Sequence, residues 1–217
     1  MSALLSIRLM VGLASLWLLA GCQATKPYDY TNFRAHPPRS ILVLPPLNES
    51  TAVEGTYSYL STVTRPLAEL GYYVFPVDIV DQFLKENGMP TAGEMHHVPL
   101  AKAAEIFGAD SVLFVTLKQY GSKYVVLSST TTVSAVAKLV DTRTGLLLWE
   151  GSGMAQQGSS GSGNLVADLV AAAVTQAINS RSDPGHQVCR LANNLMFNKK
   201  DAGLPVGPYS PTYGKPP

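Results

Sequence analysis

Three β-strand patterns follow one another in the second half of the chain, and they restrict the possible folds more than any other feature. Residues 111–117 (SVLFVTL) favour β structure almost continuously, and a Thr- and Val-rich stretch at 124–141 alternates with a period of two. The sequence DTRTG at 141–145 has turn chemistry because its glycine can adopt positive φ, and residues 146–155 then return as a third strand. The pattern predicts an antiparallel meander in which Trp149 packs into the core.

Strand and helix patterns alternate ahead of this meander. Residues 41–44 (ILVL) are apolar and bounded by prolines, which predicts a strand covered on both faces. A helix is expected next, with Gly71 as its C′ residue and either a kink at Pro66 or a restart with Thr64 as N-cap. A second strand follows at 72–75. The residues expected on the buried side of the helix are Tyr57, Leu60, Val63, Leu67 and Leu70.

Two more helices are predicted before the meander begins. Asp78 is the expected N-cap of the first, which Gly88 closes, and Pro99 is placed at the first position of the second, which ends at Gly108. Alternating strands and helices favour an α/β arrangement. The expected inward-facing residues are Val80, Phe83 and Leu84 in the first helix and Leu100, Ala103 and Phe107 in the second.

Helical patterns also follow the meander. A Gly/Ser run at 158–163 leads into a helix at 164–179 with a broad apolar stripe, and a shorter helix is predicted at 185–197. The run has neither a P-loop lysine nor the glycine spacing of a dinucleotide fingerprint, so it is predicted to be a connector. We therefore predict a single α/β domain at 40–200, a mixed sheet of about five strands with an antiparallel meander and helices packed on the sheet.

The first 22 residues have the pattern of an exported, lipidated protein. One positive charge at Arg8 precedes an apolar run that ends at Ala20 and is too short for a membrane span. The run leads into the sequence LAGC at 19–22, which resembles a bacterial lipobox. We expect residues 1–21 to be a signal peptide, cleavage between Gly21 and Cys22, and lipidation of Cys22; the alternative is an ordinary signal peptide with a chance cysteine. Gln23 after the lipidated cysteine favours the outer membrane.

The two ends of the mature chain differ in composition from the domain between them. Residues 22–39 contain three prolines and no periodicity, which predicts a lipidated cysteine followed by an extended tether. Its aromatic residues Tyr28, Tyr30 and Phe33 are expected to pack on the domain. Residues 201–217 are rich in Pro, Gly and Tyr and are predicted to run as a tail over the surface.

Composition excludes several classes of protein. The chain is 46% hydrophobic and 14% charged, which is too apolar for a disordered chain. Its 16 basic and 15 acidic residues leave almost no net charge, and removal of the signal peptide takes away one arginine and no acid. A neutral mature chain lacks the basic surplus that nucleic-acid binding needs. No nucleic-acid partner is therefore expected.

The sequence offers little that could carry out chemistry. It has no G-x-S-x-G elbow, H-E-x-x-H motif, Cys-x-x-Cys pair or P-loop lysine. The segment 94–97 (EMHH) has at most three metal-ligand types, through Glu94, His96 and His97, whereas a structural site needs about four. We therefore predict no catalytic residue, no metal site and no cofactor.

Cys189 is the remaining thiol once Cys22 is lipidated, in a compartment that favours disulfides. The simplest interpretation is a buried thiol on a helix, because reduced cysteine behaves as a small apolar residue. An intermolecular disulfide across a two-fold axis is the alternative. A catalytic role is not adopted, because only His186 and Arg190 lie nearby in sequence.

Several phrases along the chain resemble one protein family. They are the lipobox at 19–22, LGYYVFP at 70–76, FGAD at 107–110, the DTRTG hairpin with Leu148 and Trp149, and GPYSP at 207–211. Together they resemble a family of bacterial lipoproteins of unassigned function, similar in fold to the amino-terminal domain of TolB and to the curli secretion lipoprotein CsgG.

This resemblance carries expectations about function. It implies an outer-membrane α/β domain that is dimeric, works in envelope assembly or export, and has a CsgG-like lipoprotein as partner. It supplies no catalytic residue. The resulting hypothesis is a lipid-anchored, non-catalytic binding or assembly subunit. The alternatives are a self-associating structural surface lipoprotein and an envelope hydrolase that uses a loop histidine.

Overall fold

The computed structural model describes residues 27–125, 128–158 and 184–215. The predicted signal peptide with Cys22, most of the Gly/Ser run and the helix predicted at 164–179 lie outside these residues. In the part described, no helix is long and apolar enough to cross a membrane. The strands are β1 (Ser40–Val43), β2 (Leu47–Asn48), β3 (Tyr73–Val74), β4 (Ser111–Val125), β5 (Ser128–Asp141) and β6 (Leu147–Gly158). The helices are α1 (Thr31–Ala35), α2 (Gly55–Glu69), α3 (Val77–Glu86), α4 (Ala92–Met95), α5 (Leu100–Phe107) and α6 (Pro184–Phe197).

The six strands form one mixed sheet in the order β3-β1-β4-β5-β6, with β2 paired to the middle of β4. β1 lies parallel to β3 and β4, whereas β4, β5 and β6 form the predicted antiparallel meander. The prediction of a single mixed α/β domain is confirmed, with one strand more than the five expected. The extra strand, β2, has only two residues, which is too short to give a periodic signal in the sequence.

The meander is longer than its sequence pattern indicated. β4 continues to Val125, which pairs with Ser128 at the start of β5. The segment predicted as one strand from Tyr124 to Asp141 therefore begins in β4 and continues in β5. Thr- and Val-rich residues on both sides of the hairpin gave one unbroken β pattern, so periodicity alone could not locate the reversal.

The continuous apolar run of β1 separates two cores, one on each face of the sheet. Ile41 and Val43 point into the larger core under α2 and α6, whereas Leu42 and Leu44 point into the smaller core under α3, α4 and α5. Successive side chains of a strand face opposite sides of the sheet, so a strand buried on both faces needs apolar residues at every position. The prediction for this segment is confirmed.

Helix α2 differs from its prediction at two points. It runs from Gly55 to Glu69 with Pro66 inside it, so no second helix begins at Thr64. Tyr57 is half exposed, whereas Tyr59 is fully buried. The hydroxyl of Tyr57 reaches Asp81 and the ammonium of Lys85 on α3, which places it on the outer side of the helix.

Helices α3 and α5 begin at residues other than those predicted. Pro76 occupies the N-cap of α3, so Asp78 lies in the first turn, and Pro99 occupies the N-cap of α5 rather than its first helical position. A proline suits a helix start because its missing N–H has no partner there in any case. The predicted end of α5 is confirmed, since Gly108 has a φ of 68°.

Helix α6 lies against β5 and β6 at very short range. A Cβ atom on Gly153 would lie 2.2 Å from the carbonyl oxygen of Ala192, so only glycine permits this approach. Trp149 is fully buried beside Phe197, with ring centroids 5.7 Å apart, and its indole N–H donates to the carbonyl of Ala202 at 3.1 Å. The packing role predicted for Trp149 is confirmed.

The N-terminal segment is packed on the domain from Tyr28 onward. Its short helix α1 buries Phe33, and the hydroxyl of Tyr30 donates to the carbonyl of Gly203 at 2.6 Å. The predicted contact of these aromatic residues is confirmed, whereas an extended tether over the whole of 22–39 is not what the structure has. The packed domain begins before residue 40.

The C-terminal segment is also fixed to the domain. Leu204 is buried, the Tyr72 hydroxyl donates to the carbonyl of Pro205, and the Gly207 N–H donates to the carbonyl of Leu70 at 2.8 Å. Residues 202–210 thus run from Trp149 on β6 to the loop between α2 and β3. The predicted tail lies over the surface, and backbone hydrogen bonds hold it there.

Candidate functional site

The one cluster of metal-ligand residue types predicted from the sequence does not form a site. Glu94 accepts from the N–H and hydroxyl of Thr91 in a capping box, so its carboxylate serves the start of α4. His96 Nε2 lies 2.9 Å from the carbonyl of Pro45, and His97 Nδ1 lies 2.6 Å from the carbonyl of Gly93. Burial lowers the pKa of His96, which keeps its ring neutral at pH 7. The three side chains have separate structural partners.

Two cavities lie among the described residues, and both are too small for a typical substrate. The larger cavity holds about 80 Å³ between α2 and α6 and is lined by Thr62, Arg65, Pro66, Glu69, Arg190 and Asn194. A second, apolar cavity of about 10 Å³ lies between the sheet and α5. Small-molecule sites usually measure about 300–1,000 Å³. Among the residues that the structure describes, no group of three or more His, Cys, Asp or Glu could hold a metal ion.

Cys189 lies on α6 with its side chain fully buried in the larger core. This burial fits the predicted apolar packing role. An intermolecular disulfide would need the sulfur at the surface, so the alternative of a cross-linked dimer through Cys189 is wrong for this conformation. Attack on a substrate is unsuited to the same position because a nucleophilic thiol has to be accessible.

The Asp141 carboxylate accepts three hydrogen bonds, and its role is structural. Its Oδ1 accepts from the N–H groups of Arg143 and Thr144, at 3.0 and 2.8 Å, and from the Thr144 hydroxyl at 2.9 Å. Burial alone raises the pKa of this carboxyl, but the hydrogen bonds from Thr144 and Arg143 outweigh it and lower the pKa below 3.8. The carboxylate therefore fixes the turn between β5 and β6.

One accessible described part of the sheet is the surface of β5 and β6 that faces away from α6. We call this surface the open face and define it by four directly opposed cross-strand pairs. They are Thr132–Gln156, Ser134–Met154, Val136–Ser152 and Lys138–Glu150. The β5 members other than Lys138 are half-buried, whereas Lys138 and all the β6 members are exposed. Met154 is 51% exposed.

The open face suits contact with another protein more than it suits catalysis. Its charges, Lys138 and Glu150, sit opposite each other at one end, and the other three pairs are uncharged. Away from that end, a partner that covers the surface would have no charged side chain to desolvate, and Met154 offers it an adaptable apolar contact. The core of a protein interface is depleted in charge and enriched in methionine in the same way.

The outer edge of β6 is covered only at its beginning by described residues. The Leu147 carbonyl accepts from Asn32 Nδ2 at 3.1 Å, and the Glu150 N–H donates to the Tyr28 hydroxyl at 2.7 Å. The backbone N–H of Glu150 therefore points away from β5, toward the edge of the sheet. Because backbone orientation alternates along a strand, the backbone N–H and C=O groups of Ser152, Met154 and Gln156 point the same way. This edge adjoins the open face and extends the surface available to a partner.

Sequence reasoning did not identify the open face. The signal that could have found it is the alternation in 150–156, where Glu150, Ser152, Met154 and Gln156 are polar or flexible and the intervening residues are small. That pattern gives one solvated face of a strand. It does not distinguish a face left to solvent from a face used by a partner.

The fold and the site define a class: a single α/β domain with helices on both faces of its mixed sheet and an accessible surface at β5 and β6. Within that class, residues 28–209 match the family described as "Putative lipoprotein GNA1162-like", and the chain belongs to this family. The chain is 45% identical over 204 residues to lipoprotein NMB1124/NMB1162 of Neisseria meningitidis serogroup B, covering 92% of this chain and 95% of that protein.

One solved structure supports this assignment. The crystal structure of lipoprotein GNA1162 from Neisseria meningitidis is similar with a TM-score of 0.55 and 49% identity, over 66% of this chain and 100% of that chain. A PelC dodecamer from Paraburkholderia phytofirmans has a TM-score of 0.44 and 14% identity, over 70% of this chain and 87% of that chain. The second likeness is too distant to bear on assembly or function here.

Proposed function

We propose that this protein is an outer-membrane lipoprotein that serves as a non-catalytic binding or assembly subunit in envelope biogenesis or export. In this proposal the signal peptide is cleaved between Gly21 and Cys22, and Cys22 carries the lipid. Burying acyl chains is worth about 0.8 kcal/mol per CH₂, so two or more chains anchor the domain durably. Gln23 supports the outer membrane as the destination. Membership of a lipoprotein family supports the anchor.

The open face carries the binding part of the proposal. It combines accessibility, an uncharged centre and Met154, whereas the described cavities are small and the Glu94, His96 and His97 side chains are held by separate partners. A protein that works through this surface needs no catalytic group, metal or cofactor. The envelope-hydrolase alternative lacks a described pocket in which its histidine could act.

The proposed partners are a second copy of the chain and a CsgG-like lipoprotein. The choice of CsgG rests on the family resemblance of the sequence, together with the similarity in fold to CsgG and the TolB amino-terminal domain that this resemblance implies. A homodimer through the open face would bring two copies of each uncharged pair together about a two-fold axis. The bilayer is the third partner, through the lipid on Cys22.

Affinity capture from gently solubilised membranes tests this function. The lipidated protein, a Cys22→Ala variant and a Met154→Glu variant are isolated, and the proteins that copurify are identified and quantified by mass spectrometry. Ile79→Glu is the matched control because Ile79 is also an exposed apolar residue, 58% accessible, but lies on α3. Recovery of an envelope lipoprotein in fixed ratio with wild type and Ile79→Glu, and its loss with Met154→Glu, supports the proposal.

Two other outcomes contradict it. Recovery of the protein alone from wild-type membranes overturns the complex-subunit function and favours the self-associating alternative. Equal recovery of the partner with Met154→Glu overturns the open face as its binding surface.

A further inference from the structure

Two side chains of the N-terminal segment tie it to β6, and a third ties it to the C-terminal tail. Tyr28 accepts from the Glu150 N–H at 2.7 Å, Asn32 donates to the Leu147 carbonyl at 3.1 Å, and Tyr30 donates to the Gly203 carbonyl at 2.6 Å. Phe33 adds a buried aromatic ring from the same segment. We call these contacts the N-terminal clamp. The clamp fixes the chain to the domain only a few residues after Cys22.

The length of chain between the anchor and the clamp is therefore short. Six peptide units separate Cys22 from Tyr28, and a fully extended chain spans at most about 3.3–3.6 Å per residue. The lipid-bearing residue must lie within about 20 Å of Tyr28, whatever path the chain takes. An unclamped tether that ended at Arg39 would contain 17 units and reach almost three times as far.

The clamp lies at one end of the sheet. That end contains the start of β4 at Ser111, which pairs with Asp141, and the turn that leads to Leu147. The opposite end contains Gly121 of β4, where an added Cβ atom would lie 4.0 Å from Ala52. Ten residues of strand separate Ser111 from Gly121, which corresponds to about 33 Å. Val53, 88% exposed, follows Ala52 at this far end.

We propose that the bilayer covers the clamp end of the domain, so that the hairpin of β4 and β5 points away from the membrane. This inference rests on the lipid anchor of the proposed function and adds an orientation to it. Acidic and basic residues are mixed around the clamp end: Asp29, Arg34, Glu150, Lys199, Lys200 and Asp201 are exposed there, Lys138 lies opposite Glu150, and Arg39 and Arg143 are paired with Asp110 and Asp141. Because the two signs are interspersed, we attribute the orientation to the short anchor and not to attraction by anionic lipid.

Quenching by spin-labelled lipid headgroups measures this orientation. The lipidated protein is reconstituted into phosphatidylethanolamine–phosphatidylglycerol vesicles with one fluorophore at Lys199→Cys or Val53→Cys. Cys189 is fully buried and Cys22 is acylated, so the introduced cysteine is the one that reacts in the folded protein. Lys199 lies beside the clamp, since its carbonyl accepts from the Gly203 N–H at 2.7 Å. We expect strong loss of fluorescence at position 199 and no loss at position 53.

A variant of the N-terminal clamp and a matched control test whether the clamp causes this orientation. The triple variant Tyr28→Phe, Tyr30→Phe, Asn32→Ala removes the three hydrogen bonds and retains Phe33. We expect it to reduce the difference in quenching between the fluorophores at positions 199 and 53. Thr31→Val removes a hydroxyl that donates to Asp29 within the segment at 2.6 Å, and it should leave the difference intact. Circular dichroism confirms that each variant is folded.

The outcomes separate this inference from the function on which it rests. Equal quenching at positions 53 and 199 in the wild-type protein overturns the orientation, and an unchanged difference in the triple variant overturns the clamp as its cause. Persistent vesicle binding by the Cys22→Ala protein instead overturns the lipid anchor. Replacing phosphatidylglycerol with phosphatidylcholine should not change the difference between the labels; if it does, anionic lipid sets the orientation.

Discussion

Gly207 lies against the backbone of Gly71, so that a Cβ atom on Gly207 would be 2.4 Å from the Gly71 carbonyl oxygen. Gly71 has a φ of 90°, and a Cβ atom there would be 2.3 Å from the Ser210 nitrogen. Two glycines 136 positions apart thus allow the C-terminal segment to lie directly on the loop after α2. Two of the sequence segments that carry the family resemblance, 70–76 and 207–211, therefore contact each other in the folded domain.

Alanine at either glycine should detach the C-terminal segment locally. We expect Gly71→Ala and Gly207→Ala each to lower the free energy of unfolding by about 2 kcal/mol, because each adds a clash and Gly71→Ala adds backbone strain. The double variant should lose less than the sum, since both changes break the same contact. Urea denaturation measures this. Gly93→Ala is the control: its Cβ atom meets nothing closer than 3.8 Å, and a loss of the same size there would refute the packing explanation.

Removing the hydroxyl from two buried tyrosines should change the free energy of unfolding differently. The Tyr72 hydroxyl donates to the Pro205 carbonyl, so Tyr72→Phe should cost about 1 kcal/mol. The Tyr59 hydroxyl is buried with no hydrogen-bond partner among the described residues, so Tyr59→Phe should be neutral or stabilise by up to about 1 kcal/mol. Equal destabilisation by the two substitutions in urea unfolding would contradict the assigned contacts.

The same two tyrosines should make the folded protein less stable at alkaline pH. Burial raises the pKa of both Tyr59 and Tyr72 well above the usual 10.0. Above about pH 10 the unfolded chain therefore releases protons that the folded chain retains, and the free energy of unfolding decreases as the pH rises. Unfolding measurements between about pH 8 and 12 should show this decrease. The slope should be smaller in Tyr59→Phe, and an unchanged slope would rule out Tyr59 as a source.

The Asp141 carboxylate should affect how the free energy of unfolding depends on pH at acid pH. Its pKa is below 3.8 in the folded protein, so its stabilising effect is complete above that value and is lost as the pH falls through the folded pKa. Asp141→Asn should lower stability at pH 7 by about 1–2 kcal/mol and flatten the acid limb of the stability curve. If the free energy of unfolding falls equally steeply at acid pH in the wild type and in Asp141→Asn, the stabilising role of this carboxylate is contradicted.

Much of the fold could be predicted because its signals are local. The apolar run of β1 requires two covered faces, Gly108 ends α5 with positive φ, and alternation in the meander identifies its buried residues. Helix starts were less predictable. Both Asp78 and Pro76 are acceptable near an N-terminus, and sequence does not show which of them takes the cap.

The contacts of the N-terminal clamp were harder to predict because they join residues that are far apart in the chain. Tyr28, Asn32 and Tyr30 lie in a proline-rich segment with no periodicity, yet their partners are Glu150, Leu147 and Gly203. Nothing in the local sequence encodes contacts between residues so far apart in the chain. The open face was missed for a related reason, since polar alternation is the same for solvent and for a partner surface.

The most direct test of the central claim is intact mass analysis of the N-terminal peptide from the mature, membrane-extracted protein. The proposal of a lipid-anchored subunit predicts a chain that begins at Cys22, with residues 1–21 removed and acyl chains on the cysteine. A mature chain that begins elsewhere, or an unmodified thiol at Cys22, would contradict it.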